Sequence, residues 1–253
     1  MKEELVSIVI PVYNASKYLD DTIQTILNQT YNNWEATFVD DCSKDNSVDI
    51  IKKYQKTDKR IKLLLNDKNS GAAITRNNGI NAAKGNYLCF LDADDKWASN
   101  KLEKQIIFMK ENNCEFSFTG YEFADENCMP NGKKIYVPNT ITYKQALKNT
   151  TIWTSTVMLD LTKLTKEDIL MPNVRRGQDS ATWWKILRTK VNKAYGLNEI
   201  LSFYRRDEGS LSSNKIKAIK RTWNLYRNIE HLNILSSAYN FFWYCFNAIK
   251  RRV

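Results

Sequence analysis

Across the first 110 residues, four short apolar runs alternate with amphipathic stretches, and this alternation constrains the fold most. Val6–Val12 (VSIVIPV), Trp34–Val39, Ile61–Leu65 and Tyr87–Leu91 (YLCFL) are apolar and rich in β-branched or aromatic residues, so they read as buried strands. Between them, Ser16–Gln29 places Leu19, Ile23, Ile26 and Leu27 on one helical stripe with Ser16 as its cap. Asp45 or Asn46 heads a second helix carrying Val48, Ile51 and Tyr54, and Ala72–Ala83 and Lys101–Lys110 complete the series. Continuous apolar strands separated by helices predict an α/β fold: a mostly parallel central sheet with helices on both faces. Past Glu115 the pattern loosens. Phe116–Gly120, Ile135–Val137 and Ser155–Leu159 read as short strands, and Tyr143–Asn149 and Asp179–Lys190 as helices that finish the same domain. From Asn214 the chain reads as helical, with a break near Asn233 or Ser236.

Composition narrows the chemistry. Of 253 residues, 43% are hydrophobic and 26% charged, with 8 Gly and 4 Pro, which excludes disordered and collagen-like chains. Five scattered cysteines without Cys-x-x-Cys spacing exclude a disulfide framework or a structural zinc. A single histidine, His231, leaves no multi-His metal site, so any catalysis must run on carboxylates. The opening MKEELVSIVIPVYN carries acids and only a short apolar run, without a signal peptide's length or cleavage site, and no spanning helix is apparent; a cytoplasmic location is expected.

In a doubly wound sheet, ligands bind beyond the carboxyl ends of the strands. Those ends carry Pro11, Val12, Tyr13 and Asn14 after the first strand, Asp40, Asp41 and Ser43 after the second, and Asn69-Ser70-Gly71 leading to Arg76 after the third. Asp92, Ala93, Asp94 and Asp95 follow the fourth. A tyrosine can stack on a base, a carboxylate can accept from base N–H or ribose hydroxyls, and an arginine forks onto phosphate. Asp92 and Asp94, one residue apart, suit a hard dication held against a diphosphate. Each piece alone is also ordinary structure: Asp41 and Ser43 suit a helix cap, and acidic loops are commonly solvated. Their convergence on one sheet edge is what points to a site.

Those segments, with the later GQDSATWWKIL, resemble the family-2 inverting glycosyltransferases of the GT-A fold, from about Leu5 to Ser213. The resemblance implies a nucleotide-binding half at residues 1–113, an acceptor-binding half at 114–213 and a separate tail at 214–253. It implies that Pro11, Val12, Tyr13 and Asn14 line the base and that one of Asp40 and Asp41 reads it. Gly71, Arg76 and Ala93 then lie near the nucleotide, and Asp92 and Asp94 form an Asp-x-Asp motif for Mn²⁺ or Mg²⁺ on the donor diphosphate. Asp95 lies behind them. The family's base heads a helix in a Glu-Asp pair; here the pair is Gln178-Asp179, which leaves Asp179 as the base. Arg205 and Asp207 stand in the segment where relatives carry Tyr-Arg-x-His, with Asp207 at the His position. The Gln-x-x-Arg-Trp signature of processive members is absent, so one sugar per encounter is expected. The implied donor is a nucleotide diphosphate sugar, expected to be a UDP-sugar, and the acceptor a glycan or polyprenyl-linked glycan of a bacterial surface polysaccharide. Trp153 is a candidate ring for an acceptor sugar, with packing as its alternative. A non-catalytic nucleotide-sugar-binding subunit is the rival to an enzyme.

The net charge of +10 is uneven: the last 40 residues hold eight basic residues and one acid, Glu230. The body is nearly balanced and its acidic cluster opposes nucleic acid as a partner. Leu232, Leu235, Tyr239, Phe242, Phe246 and Ile249 fall on one helical face among Lys and Arg, a pattern suited to the inner membrane surface. Packing of that face on the domain or on a second copy is the alternative.

Overall fold

The computed structural model describes residues 4–149, 151–206 and 215–250. Strands β1 (Val6–Val12), β2 (Trp34–Asp40), β3 (Ile61–Leu65) and β4 (Tyr87–Phe90) pair in parallel in the order β3-β2-β1-β4. Their burial explains why they read so clearly: every residue of β2 and β4 is buried, because helices cover both faces. On one face, helices α1 (Ser16–Leu27), α2 (Ser47–Thr57) and α4 (Lys101–Glu111) contribute Leu19, Ile23, Ile51, Leu102 and Ile106 to a shared core. On the other, α3 (Gly71–Ala82) and α7 (Gln178–Thr189) contribute Ile80, Trp183 and Trp184. Trp183 is wedged between Phe90 at 5.8 Å and Phe116 at 5.4 Å between ring centroids, and Trp184 is buried as well, so both tryptophans after Asp179 are core residues.

The sheet continues past β4 with β9 (Met158–Asp160), β6 (Phe116–Ala124), β10 (Ala194–Arg205) and β5 (Lys96–Trp97). Here it becomes mixed. β9 runs antiparallel to both β4 and β6, β5 is antiparallel to β10, and β6 and β10 are parallel. β7 (Pro130–Ile135) and β8 (Thr140–Ile141) pair at its side. The strand expected at Ile135–Val137 is therefore earlier, over an exposed polar stretch that buries no face of its own. β10 lacks a clean alternation because its register shifts twice, at Leu197/Ile200 and Ile200/Ser202.

The cap of α1 differs from expectation, whereas Asp45 and Asn46 head α2 as expected. α1 begins at Ser16 with Ala15 preceding it, and no side chain of its own caps it. Asp45 does that work from a distance: Oδ2 accepts from the Ser16 N–H at 2.9 Å, while Oδ1 accepts from the Ser47 N–H at 3.0 Å. One carboxylate thus serves the first turns of both α1 and α2, where the helix dipoles favour negative charge.

The tail packs against the body through α8 (Lys215–Asn224) and a π-helical turn (Leu225–Ile229). Tyr226 is fully buried, stacks on Trp184 at 5.4 Å, and donates to the Leu147 carbonyl. Tyr143 donates to buried Glu230 at 2.7 Å. The expected break is real: Asn233 Oδ1 accepts from the Ser236 N–H at 2.8 Å and α9 (Ile234–Lys250) starts anew. α9 turns Ser237, Asn240 and Tyr244 inward, and leaves Leu235, Tyr239, Phe242 and Phe246 exposed. No described helix is long and apolar enough to cross a membrane.

Candidate active site

A cavity of about 540 Å³ opens at the carboxyl ends of β1, β2 and β4. Pro11, Val12, Tyr13, Asn14, Asp41, Gly71, Arg76, Asp92, Ala93 and Asp94 all line it. Parallel strands end together, so residues distant in sequence meet there. Tyr13 presents an exposed ring. Asn14 adopts φ 49°, and its side chain accepts from the Lys44 N–H at 2.7 Å, which fixes the turn after β1.

The two aspartates after β2 have separated roles in the packing. Asp40 is buried outside the cavity lining, with Oδ2 accepting from the Ser43 N–H at 3.0 Å. Asp41 borders the cavity and organises the far wall. Its Oδ1 accepts from Ser70 N–H and Asn66 Nδ2, both at 2.8 Å, and its Oδ2 accepts from Gly71 N–H at 2.8 Å. Burial pushes its pKa up, but the Ser70 N–H, Asn66 and Gly71 outweigh this and hold the carboxyl below its usual range. Gly71 has φ +81°, a left-handed backbone that opens α3 and aims its N–H at Asp41.

Arg76 projects from α3 and is almost wholly buried. Its Nη2 donates to Asp92 Oδ1 at 2.5 Å, while Nε and Nη1 have no hydrogen-bond partner. Burial opposes its charge, but Asp92 first, then Asp179 and Asp94, more than offset that cost and raise its pKa. The guanidinium therefore sits in the field of three carboxylates, with donors facing no protein acceptor.

Behind the cavity, Asp95 is fully buried. Its Oδ2 accepts from Ser155 Oγ at 3.0 Å and its Oδ1 from the Arg205 N–H at 3.1 Å. Burial, then the charges of Asp94 and Asp92, push its pKa well above the carboxylate range. Arg205 Nε donates to the Asp94 carbonyl at 2.7 Å, and its guanidinium covers the Tyr18 ring at 4.3 Å. Asp95 and Arg205 thus brace the Asp92–Asp95 turn from behind and lie outside the cavity lining.

Asp179 lies in the first turn of α7, after Gly177 at φ +80°. Thr154 Oγ1 donates to its Oδ2 at 3.2 Å, and its Oδ1 accepts from the Ser180 N–H at 2.7 Å. Gln178 adjoins it with Oε1 buried and unpartnered. Trp153, beside Thr154, joins Tyr204 at 4.6 Å and Tyr121 at 5.1 Å in an aromatic cluster. Asp207 lies outside the described residues. The cavity also takes in Arg175, an exposed residue that sequence reading missed. The only sign of it was the Arg175-Arg176 pair just ahead of Gly177-Gln178-Asp179.

Asp92 and Asp94 are the side chains that could hold a divalent ion. Among the described residues no cluster of three or more His, Cys, Asp or Glu side chains forms a ligand shell. Two carboxylates fit a hard ion whose remaining ligands are diphosphate oxygens and water.

The mixed sheet, with a cavity at the ends of its parallel strands walled by carboxylates and a buried arginine, agrees with the GT-A architecture that the sequence resemblance implies. Residues 7–171 match glycosyl transferase family 2, and the chain belongs to that family. TuaG of Bacillus subtilis (strain 168), named for teichuronic acid biosynthesis, is 47% identical across 98% of both chains. Escherichia coli WfgD, named as a UDP-Glc:alpha-D-GlcNAc-diphosphoundecaprenol beta-1,3-glucosyltransferase, is 40% identical over 89% of this chain and 86% of its own. Among solved structures, S. aureus TarS 1-349 in complex with UDP superposes with a TM-score of 0.67 at 19% identity, covering 95% of this chain and 70% of that one. That likeness establishes the fold. The chain is accordingly a glycosyltransferase, which sets aside the non-catalytic reading.

Proposed function

We propose that this chain is an inverting transferase moving one sugar from a UDP-sugar to a hydroxyl of a lipid-linked glycan during assembly of a bacterial surface polysaccharide. The names of TuaG and WfgD support the pathway and acceptor class. Within the site, the observation that carries the reading is Arg76, a buried cation with two unpartnered nitrogens in the combined field of Asp92, Asp94 and Asp179.

In this reading the nucleotide base lies over Tyr13 between Pro11–Asn14 and Asp41, and residues 1–113 form the donor-binding half. Asp92 and Asp94 would hold Mn²⁺ or Mg²⁺, which would offset charge on the leaving diphosphate. Arg76 stabilises the same charge by hydrogen bonding. Asp179, oriented by Thr154, takes the proton of the acceptor hydroxyl, worth about 10²–10⁴ in rate. The hydroxyl oxygen bonds to the anomeric carbon as the bond from that carbon to the phosphate oxygen breaks. The electron pair leaves with the UDP, and attack from the opposite side inverts the configuration. Residues 114–213 form the acceptor half, with Trp153 beside the base. The exposed Leu235, Tyr239, Phe242 and Phe246 stripe of α9 rests on the inner membrane surface, since a helix that turns serine and asparagine inward and aromatics outward suits a lipid boundary.

The test is thermal stabilisation by UDP, GDP and CDP sugars with and without Mn²⁺, followed by transfer to a prenyl-diphosphate-linked sugar. A shift specific to UDP-sugars, lost with EDTA, is expected. Equal shifts for all three nucleotides would refute the donor assignment.

A further inference from the structure

The start of α7 is crowded with cations. Arg175 and Arg176 precede Gly177, and Arg221 of α8 runs across it: a β-carbon at Gly177 would lie 3.3 Å from Arg221 Cδ and 2.7 Å from Leu225 Cδ1. Asp179 is two residues further on. Among the described residues the arginine ion pairs are those of Arg60, Arg76, Arg188 and Arg205, whereas Arg175, Arg176 and Arg221 have none. Arginines gathered outside any ion pair keep guanidinium forks that phosphate oxygens can satisfy.

A neighbouring side of α8 borders an open trough of about 660 Å³. Ile219, Trp223 and Phe241 form its apolar wall, with Lys220 and Arg227 at its edges. Trp223 and Phe241 meet edge to face at 5.7 Å, and Trp223 is partly exposed. One helix therefore carries an arginine across Gly177, two residues before the candidate base, and borders an apolar channel on a neighbouring side.

We propose that Arg221, with Arg176, binds the diphosphate of a polyprenyl-diphosphate-sugar acceptor, and that the trough between α8 and α9 receives its first isoprene units. The inference rests on the lipid-linked acceptor proposed above. In such an acceptor the attacked hydroxyl and the diphosphate are attached to the same pyranose ring when one sugar is present. The diphosphate must then lie within a ring's width of the base, where Arg221 crosses Gly177. An arginine fork pairs with phosphate oxygens bidentately. The donor diphosphate has its own arginine, Arg76, so two anionic substrates are served by two separate cations.

The direct test uses the full chain and farnesyl diphosphate as probe, followed by calorimetry and tryptophan fluorescence in saturating UDP. Wild-type protein is expected to bind it, and Arg221→Ala to weaken it about tenfold or more. Trp223→Ala is expected to weaken farnesyl diphosphate while leaving inorganic pyrophosphate affinity unchanged. The UDP-induced thermal shift in both variants reports that the fold is intact. Displacement by UDP would put the probe in the donor cavity and overturn the proposal. So would displacement by phosphatidylglycerol, equal binding by wild type and Arg221→Ala, or equally tight binding of farnesol. A second arm compares KM for a prenyl-diphosphate-linked sugar with KM for the same sugar as a neutral alkyl glycoside. Arg221→Ala is expected to shift the ratio about tenfold; an unchanged ratio would overturn the site. Transfer to the neutral glycoside by wild type upholds the glycosyltransferase reading whichever way the ratio falls.

Discussion

Arg76 Nη2 donates to Asp92 Oδ1 at 2.5 Å, while the other two nitrogens of the same guanidinium are buried without a partner. A buried donor left unpaired is costly, so an arrangement of this kind is kept for a ligand that supplies acceptors. Arg76→Ala is expected to lower kcat/KM by about 10²–10³, the cost of removing a donor aimed at developing charge. Arg76→Lys keeps the charge but loses the fork, and should recover only part of the rate. Steady-state transfer assays read both; wild-type rates in Arg76→Ala would remove it from the reaction.

Asp179 and Thr154 make a second pair that kinetics can separate. Asp179→Asn is expected to cut transfer about 10²–10⁴-fold while the UDP thermal shift stays, because a general base acts on the acceptor. Thr154→Val removes only the orienting hydrogen bond at 3.2 Å and should have a smaller effect, on the order of tenfold in kcat. Equal losses in the two variants would point to a structural role for both.

Asp45 ties stability to acid. Burial raises its pKa, but the Ser47 hydroxyl and the Ser16 and Ser47 N–H groups overcome this and lower it to about 2. A carboxyl whose folded pKa is depressed contributes stability that is present above its unfolded value near 3.9 and is lost as pH falls through about 2. Asp45→Ala is expected to cost about 1–2 kcal/mol at pH 7, the scale of lost helix caps. That difference should shrink between pH 4 and pH 2 in denaturant titrations. A pH-independent difference would mean that the lost contribution is packing.

Gly177→Ala tests how the base helix meets the tail. The backbone at φ +80° is left-handed, at a cost of about 1–2 kcal/mol for an alanine, and the added carbon would press on Leu225 at 2.7 Å. A lower Tm together with lower kcat is expected, measured by calorimetry and transfer assay. A loss of Tm alone would show that the position of α8 is irrelevant to chemistry.

The readable half of the protein is the half whose signals are local. β1, β2 and β4 are buried on both faces, so their apolar runs stand out, and the edge strand β3 is apolar too although Leu64 and Leu65 are exposed. The acids and glycine at their ends are read from the next few residues alone, and the cavity takes in Tyr13, Gly71, Arg76, Asp92 and Asp94 as expected. β7 and β10 were harder. β7 is an exposed polar edge that buries nothing, and β10 breaks its alternation with two register shifts.

What sequence settles here is therefore an α/β chain with an acidic cluster on the ligand-binding edge, because strand burial and strand-end chemistry are written in neighbouring residues. Tertiary structure alone decides that Asp41 rather than Asp40 faces the cavity, and that Arg205 supports Asp94 and Asp95 from 111 and 110 residues away. It alone brings Arg221 over Gly177 at the start of the helix bearing Asp179. These relationships depend on which helix crosses which strand end. Packing fixes that across the whole chain, and no local periodicity encodes it.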